Sequence, residues 1–130
     1  MPDAHRPATL IVDAANVIGS RPDGWWRDRA GAASRFVDRV QGAVASGALT
    51  TPVVVVLEGQ ARAGAAAGTA GGVDVVHAPR SGDDTIADLA TGSAGSITVV
   101  TADRALGDRV RAVGATVVGP TWLLDRLPDG

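Results

Sequence analysis

Apolar runs of strand length recur at residues 9–12, 53–57, 73–76, 97–100 and 116–118, rich in Val, Ile and Thr and bounded by turn-forming residues. They are continuously apolar rather than alternating with polar residues. That pattern belongs to strands covered on both faces, as in a parallel sheet between two layers of helices. Helices are predicted over 31–46, 83–91, 103–113 and 121–127. Apolar residues there recur at helical spacing, as in Ile86, Leu89 and Ala90 or Leu106, Val110 and Val113. Alternation of strand and helix predicts right-handed crossovers and a three-layer α/β domain. Residues 60–72 are Gly/Ala-rich with little to pack, and read as a flexible connection holding at most one short helical turn. Residues 1–130 read as one domain with loose termini at 1–7 and 128–130.

Composition narrows the chemistry. A length of 130 residues, 45% of them hydrophobic, suffices for one core, and the net charge of −2 excludes a wholesale basic coat, so an anionic partner needs a local patch. All twelve basic residues are Arg and thirteen of the fourteen acids are Asp, with Glu58 the exception. Without Lys there is no P-loop and no Schiff-base chemistry. Without Cys there is no disulfide, thiolate nucleophile or thiolate zinc site, and His5 and His77 cannot form a multi-His centre. No run approaches the roughly 18 to 20 apolar residues of a membrane span, and residues 1–7 lack the apolar core of a signal peptide. A soluble, cytoplasmic protein with no membrane association is expected.

The carboxylates fall at telling places. Asp13 follows the first apolar run and Asp103 the fourth, and open α/β sheets bind ligands beyond the carboxyl ends of their strands. Were those strands adjacent, the two Asp would project from ends about 4.8 Å apart. Ser81-Gly82-Asp83-Asp84 opens a predicted helix, and at 100° per residue Asp83 lies about 60° from Ile86, leaning toward the sheet, whereas Asp84 and Asp88 point largely away. Converging carboxylates repel unless a cation lies between them. An all-oxygen Asp set with Asn16 one short loop away suits Mg²⁺ or Mn²⁺ rather than zinc. Asp83 and Asp103 are equally good helix N-caps, whereas Asp13 stands too early to cap an obvious helix. Two rival carboxylate folds fail by residue. A dehalogenase-like phosphatase needs a second Asp where Ala15 stands, and a response-regulator receiver needs a late Lys.

Three segments carry a family resemblance: Ile11-Val12-Asp13-Ala14-Ala15-Asn16-Val17, Ser81-Gly82-Asp83-Asp84-Thr85-Ile86 and Val99-Val100-Thr101-Ala102-Asp103. In order and spacing they resemble the NYN branch of the PIN-like nuclease superfamily, which includes the YacP-like bacterial ribonucleases. The resemblance implies a PIN-like sheet of about five parallel strands in the order 3-2-1-4-5. It also implies metal-dependent cleavage of RNA, with Asp13, Asp83 and Asp103 as ligands of Mg²⁺ or Mn²⁺, Asp84 a close neighbour or further ligand, and Asn16 a polar group orienting water or phosphate. Ala14 replaces the family's usual Gly. Gly107 stands where several relatives carry a further acid, and Asp108, one place later, has Arg104 or Arg111 as an alternative partner.

Substrate contacts are expected on the loop after Asn16, where Arg21 and Arg27 flank Trp25 and Trp26, with Arg80 and Arg104 beside the acidic positions. The Trp pair could equally pack the loop onto the sheet edge or the first long helix. Arg35 and Arg39 are expected on a solvated helix face with Asp38, Glu58 at the surface with the site's margin as its alternative, and His77 as a packing residue. Two functions follow: a metal-dependent ribonuclease acting on single-stranded or loop RNA, or a catalytically weak module of the same fold that binds RNA or a protein partner. Whether the chain forms a homodimer is open at this level.

Overall fold

The computed structural model describes residues 8–92 and 95–128. The expected looseness of residues 1–7, 129 and 130 lies outside the described residues, as does His5. Five parallel strands form the centre: β1 (Ala8–Asp13), β2 (Val53–Leu57), β4 (Val73–His77), β5 (Ser96–Val100) and β6 (Thr116–Val118). A short strand β3 (Gly68–Ala70) adds to β4 antiparallel, giving one mixed sheet in the order β3-β4-β2-β1-β5-β6. Without that edge strand the order is the expected 3-2-1-4-5.

The continuous apolar runs arise because alternate residues of each strand feed two cores. Leu10 and Val12 of β1, and Val53, Val55 and Leu57 of β2, face α1 (Ala14–Gly19), α2 (Arg29–Ala45) and α5 (Pro120–Leu124). Ile11, Val56, Ile97 and Val99 face the other way, packing with Ile86 and Ala90 of α3 (Gly82–Gly92) and Leu106 and Val110 of α4 (Arg104–Arg111). The same parity decides where functional side chains emerge. Asp13 follows Val12, and Glu58 follows Leu57, so both belong on the α3/α4 side.

Segment 60–72, expected as a flexible connection, carries a 3₁₀ helix (Gly59–Gly64) and the edge strand. The Thr69 hydroxyl donates to the Asp74 carboxylate across the β3–β4 pair, and Gln41 Nε2 donates to the Ala70 carbonyl at 3.2 Å. A Cβ at Gly64 would stand 2.2 Å from the Ala30 carbonyl oxygen and 2.9 Å from both Ala33 Cβ and Ser34 N, atoms of α2 that cannot turn aside. Gly64→Ala should therefore cost about 1–3 kcal/mol in a urea melt, because the overlap is with backbone. An unchanged midpoint would show that this segment does not rest on α2.

Candidate active site

Asp13 ends β1 and stands directly before α1, a six-residue helix where the sequence suggested only a loop. It occupies the N-cap position but closes no capping hydrogen bond. Instead its Oδ2 accepts from the Thr101 hydroxyl at 2.9 Å, and Thr101 Oγ1 in turn accepts the Asp103 backbone N–H at 3.1 Å. Asn16, in the first turn of α1, accepts the Ala102 N–H on its Oδ1 at 2.8 Å. Two side chains from the β1–α1 junction thus staple the loop between β5 and α4. That contact takes one lone pair of the Asn16 side-chain oxygen and leaves its NH₂ group to other partners.

Register explains the meeting. Val12 pairs with Val100, so Asp13 and Thr101 emerge side by side, and Asp13 pairs with Val56, two residues short of Glu58. Asp13 and Thr101 are the buried polar residues among the described ones, at 4% and 3% exposure. Asp83 enters from the first turn of α3 and Asp103 from the N-cap of α4, where its Oδ1 accepts the Leu106 N–H at 3.0 Å. Asp103 therefore does cap its helix, which leaves one carboxylate oxygen for other work.

Glu58, expected at the surface, is half-buried against the start of α3. A Cβ at Gly82 would lie 2.9 Å from Glu58 Oε1, so glycine at this position lets the carboxylate come up to the helix end. The signal was present in the sequence: Glu58 directly follows a strand and shares its parity with Asp13.

Asp13 and Asp83 sense the acids around them. Burial pushes the Asp13 carboxyl up to about 6; the Thr101 hydroxyl and the Asn16 backbone N–H oppose the rise, while the charges of Asp83 and Glu58 add to it. Asp83 is also raised, first by burial and then by Asp103 and Glu58, with Arg109 acting against the shift and Asp84 adding to it. Glu58→Gln should accordingly lower the Asp13 and Asp83 pKa values, read by NMR titration of the carboxyl carbons. Unmoved titration curves would place Glu58 outside the cluster.

The other expected site residues fall in different places. Asp84 is exposed and paired with Arg109 of α4, Nη1 to Oδ1 at 3.0 Å, so it ties α3 to α4 on the outer side. Arg80 and Arg104 are exposed at the starts of α3 and α4 and make no ion pair among the described residues. Asp108 pairs with Arg111 at 3.6 Å, and Arg111 Nη1 would lie 3.2 Å from a Cβ at Gly107. His77 is held by Ala65, its Nε2 2.7 Å from the carbonyl oxygen. Trp25 and Trp26 form a short 3₁₀ helix (Trp25–Arg27) and meet edge to face at 6.0 Å. Trp25 is half-buried against Gly19, whereas Trp26 is 49% exposed. The Arg27 guanidinium lies 5.8 Å from the Trp26 ring and that of Arg29 5.2 Å from Trp25.

The donor set suits a hard divalent cation: oxygen atoms only, two carboxyls disfavoured as anions, and a local surplus of negative charge. Among the described residues no three His, Cys, Asp or Glu side chains are gathered into a ready-made cage. Mg²⁺ does not require one, because it keeps several waters and commonly takes one or two carboxylates together with substrate phosphate oxygens.

A central parallel sheet with an antiparallel edge strand and helices on both faces has a match among solved structures. The fold is similar to that of Rae1 (YacP) from Bacillus subtilis. The likeness spans 92% of this chain and 74% of the Rae1 chain, crystallised as a point mutant, with a TM-score of 0.68 and 24% sequence identity. At that identity the comparison with Rae1 establishes a YacP-like fold and leaves the chemistry to the residues. No family model matches the sequence, and no curated protein matches it. Among the described residues no helix is long and apolar enough to cross a membrane.

Proposed function

We propose that this protein is a divalent-metal-dependent ribonuclease. The observation that carries the reading is the buried Asp13 carboxyl at the carboxyl end of β1, hydrogen-bonded to Thr101 and resisting ionisation, with the charges of Asp83 and Glu58 acting on it. The motif resemblance to the YacP-like ribonucleases and the Rae1-like fold support it. Asp13, Asp83 and Asp103 would hold Mg²⁺ or Mn²⁺, and Glu58 adds charge beside them. Such an ion, when bound, supplies an activated water and neutralises charge on the phosphodiester.

The side chains divide the remaining work. Thr101 and Asn16 fix the β1 and β5 ends relative to each other, so the Asp13 carboxylate does not swing when substrate arrives. Asp103 keeps one oxygen on its helix and presents the other. Arg80 and Arg104 offer guanidinium groups beside the cluster, and Trp26 with Arg27 offers a stacking face and a cation for unpaired bases.

Mn²⁺ titration by calorimetry, with melting temperatures measured alongside, tests the reading. Saturable binding that raises the melting temperature is expected for the wild type, together with at least tenfold weaker binding for Asp83→Asn. No heat and no shift up to millimolar Mn²⁺ would refute metal dependence. A module that binds RNA or a protein without cutting is the second reading, favoured by the occupied Asn16 carbonyl and the absence of a ready-made cage among the described residues.

A further inference from the structure

On the opposite side of α1 from the acidic cluster's helices lies a cleft of about 550 Å³ between α1, α2 and α5. Its volume is that of a small-ligand site, within the usual range of roughly 300–1,000 Å³. Val17, Ile18 and Phe36 contribute apolar lining, and Arg21, Arg35 and Arg39 line the same cleft. Arg35 and Arg39, expected on a plain solvated helix face, thus border a concavity. Among the described residues the ion pairs are Arg109–Asp84 and Arg111–Asp108, so none of the three cleft arginines is neutralised by one. Asp23 and Asp38 also line the cleft, leaving three cations against two anions. Arg39 is held in place by its Nε, which donates to the Pro128 carbonyl at 3.0 Å.

Charge is segregated toward this side. Five of the twelve Arg and three of the fourteen acids fall within residues 21–39, so a chain of net charge −2 carries a local excess of +2. One of those three acids, Asp28, is committed to capping α2 through the Gly31 N–H at 2.9 Å. Val17 and Ile18 follow Asp13 by four and five residues on α1, about 6–8 Å along the helix axis. The α1 wall of the cleft thus runs directly on from Asp13 at the end of β1. The planar guanidinium forks suit phosphate, the apolar lining suits a base, and the Trp25–Trp26 pair stands on the loop that joins α1 to α2.

We propose that this cleft binds the single-stranded RNA chain flanking the scissile phosphodiester, with Arg21 and Arg35 contacting backbone phosphates and Arg39 set beside them. The proposal rests on the reading of the protein as an RNA-cleaving enzyme, and its test separates the two. Binding of a labelled 12-nucleotide single-stranded RNA is followed by anisotropy in EDTA at several salt concentrations. The proteins are wild type, Arg21→Gln/Arg35→Gln, and a control pair with the same change in charge elsewhere, Arg62→Gln/Arg111→Gln. Both cleft positions are exposed, and melting temperatures check that each variant is folded.

The cleft pair is expected to bind about tenfold more weakly, with the slope of log K against log salt shallower by about 1.4, two single-strand phosphate contacts' worth. The control pair should bind like wild type. Equal binding by the two pairs, no RNA binding by wild type, or an Arg21- and Arg35-dependent grip on an acidic peptide but not on RNA would each overturn the proposal. Cleavage in Mn²⁺ is scored separately. Wild type that binds through the cleft but never cuts leaves the cleft standing and removes the ribonuclease reading. Wild type that cuts while the cleft pair binds normally does the reverse.

Discussion

Asp13→Asn should eliminate metal-dependent RNA cleavage while making the protein more stable at neutral pH. Two effects are superposed. As a would-be metal ligand the side chain loses its charge, and the loss should reach about 100-fold or more, since even groups one shell from a metal typically cost 10- to 100-fold. As a buried acid, Asp13 binds its proton more tightly in the fold than in the unfolded chain, with its pKa raised from 3.8 to about 6. Between those values the native state carries the extra proton, so stability falls as pH rises through the window and stays lower above it. The displacement corresponds to a penalty of about 3 kcal/mol at pH 7.5. Asn has no proton to lose and its side-chain oxygen can still accept from Thr101. Thermal melts should therefore show Asp13→Asn several degrees more stable at pH 7.5, with the advantage gone near pH 4. A variant less stable than wild type at pH 7.5 would mean that the carboxylate is held by favourable contacts, not strained by burial.

Thr101→Val should move stability the other way. The substitution keeps the shape, removes the hydroxyl donor to Asp13, and deprives the Asp103 N–H of its acceptor in the same step. Losing a hydrogen bond to a charged group and orphaning a second partner should cost about 1.5–3 kcal/mol at pH 7.5. The Asp13 pKa should climb further above 6, because the hydroxyl is the largest of the groups that hold it down. The acid limb of any pH–rate profile governed by Asp13 would shift upward with it. A Thr101→Val protein with wild-type stability and an unmoved profile would show that the hydroxyl does not set the state of Asp13.

Much of this arrangement could be read from residues in order. Five β-branched runs fed two cores and marked the parallel strands, and an Asp at or just beyond a strand end marked the carboxyl edge from which Asp13 and Asp103 emerge. What escaped had physical reasons. Gly68–Ala70 makes an edge strand through backbone pairing and one Thr69–Asp74 contact, with no apolar run to announce it. Helix α1 has six residues, too short for periodicity to register, and so Asn16 read as loop. Glu58 was expected at the surface, with the site's margin only as an alternative, although strand parity places it with Asp13. Thr101 drew no role of its own in the motif, because that role depends on the β1–β5 register, which local sequence does not encode. Arg35 and Arg39 read as a solvated face because only the packing of α1 and α5 against α2 turns that face into a cleft.

The central claim is that the carboxylate cluster cuts RNA with the help of a divalent cation. Its most direct test is single-turnover cleavage of a labelled single-stranded RNA by wild type and by Asp13→Asn, each confirmed folded, in Mn²⁺ and in EDTA. Cleavage by wild type in Mn²⁺ alone, leaving 5′-phosphate and 3′-hydroxyl ends, with Asp13→Asn reduced about 100-fold or more, is the expected result. Equal cleavage by the two proteins, or cleavage that persists in EDTA, would contradict it.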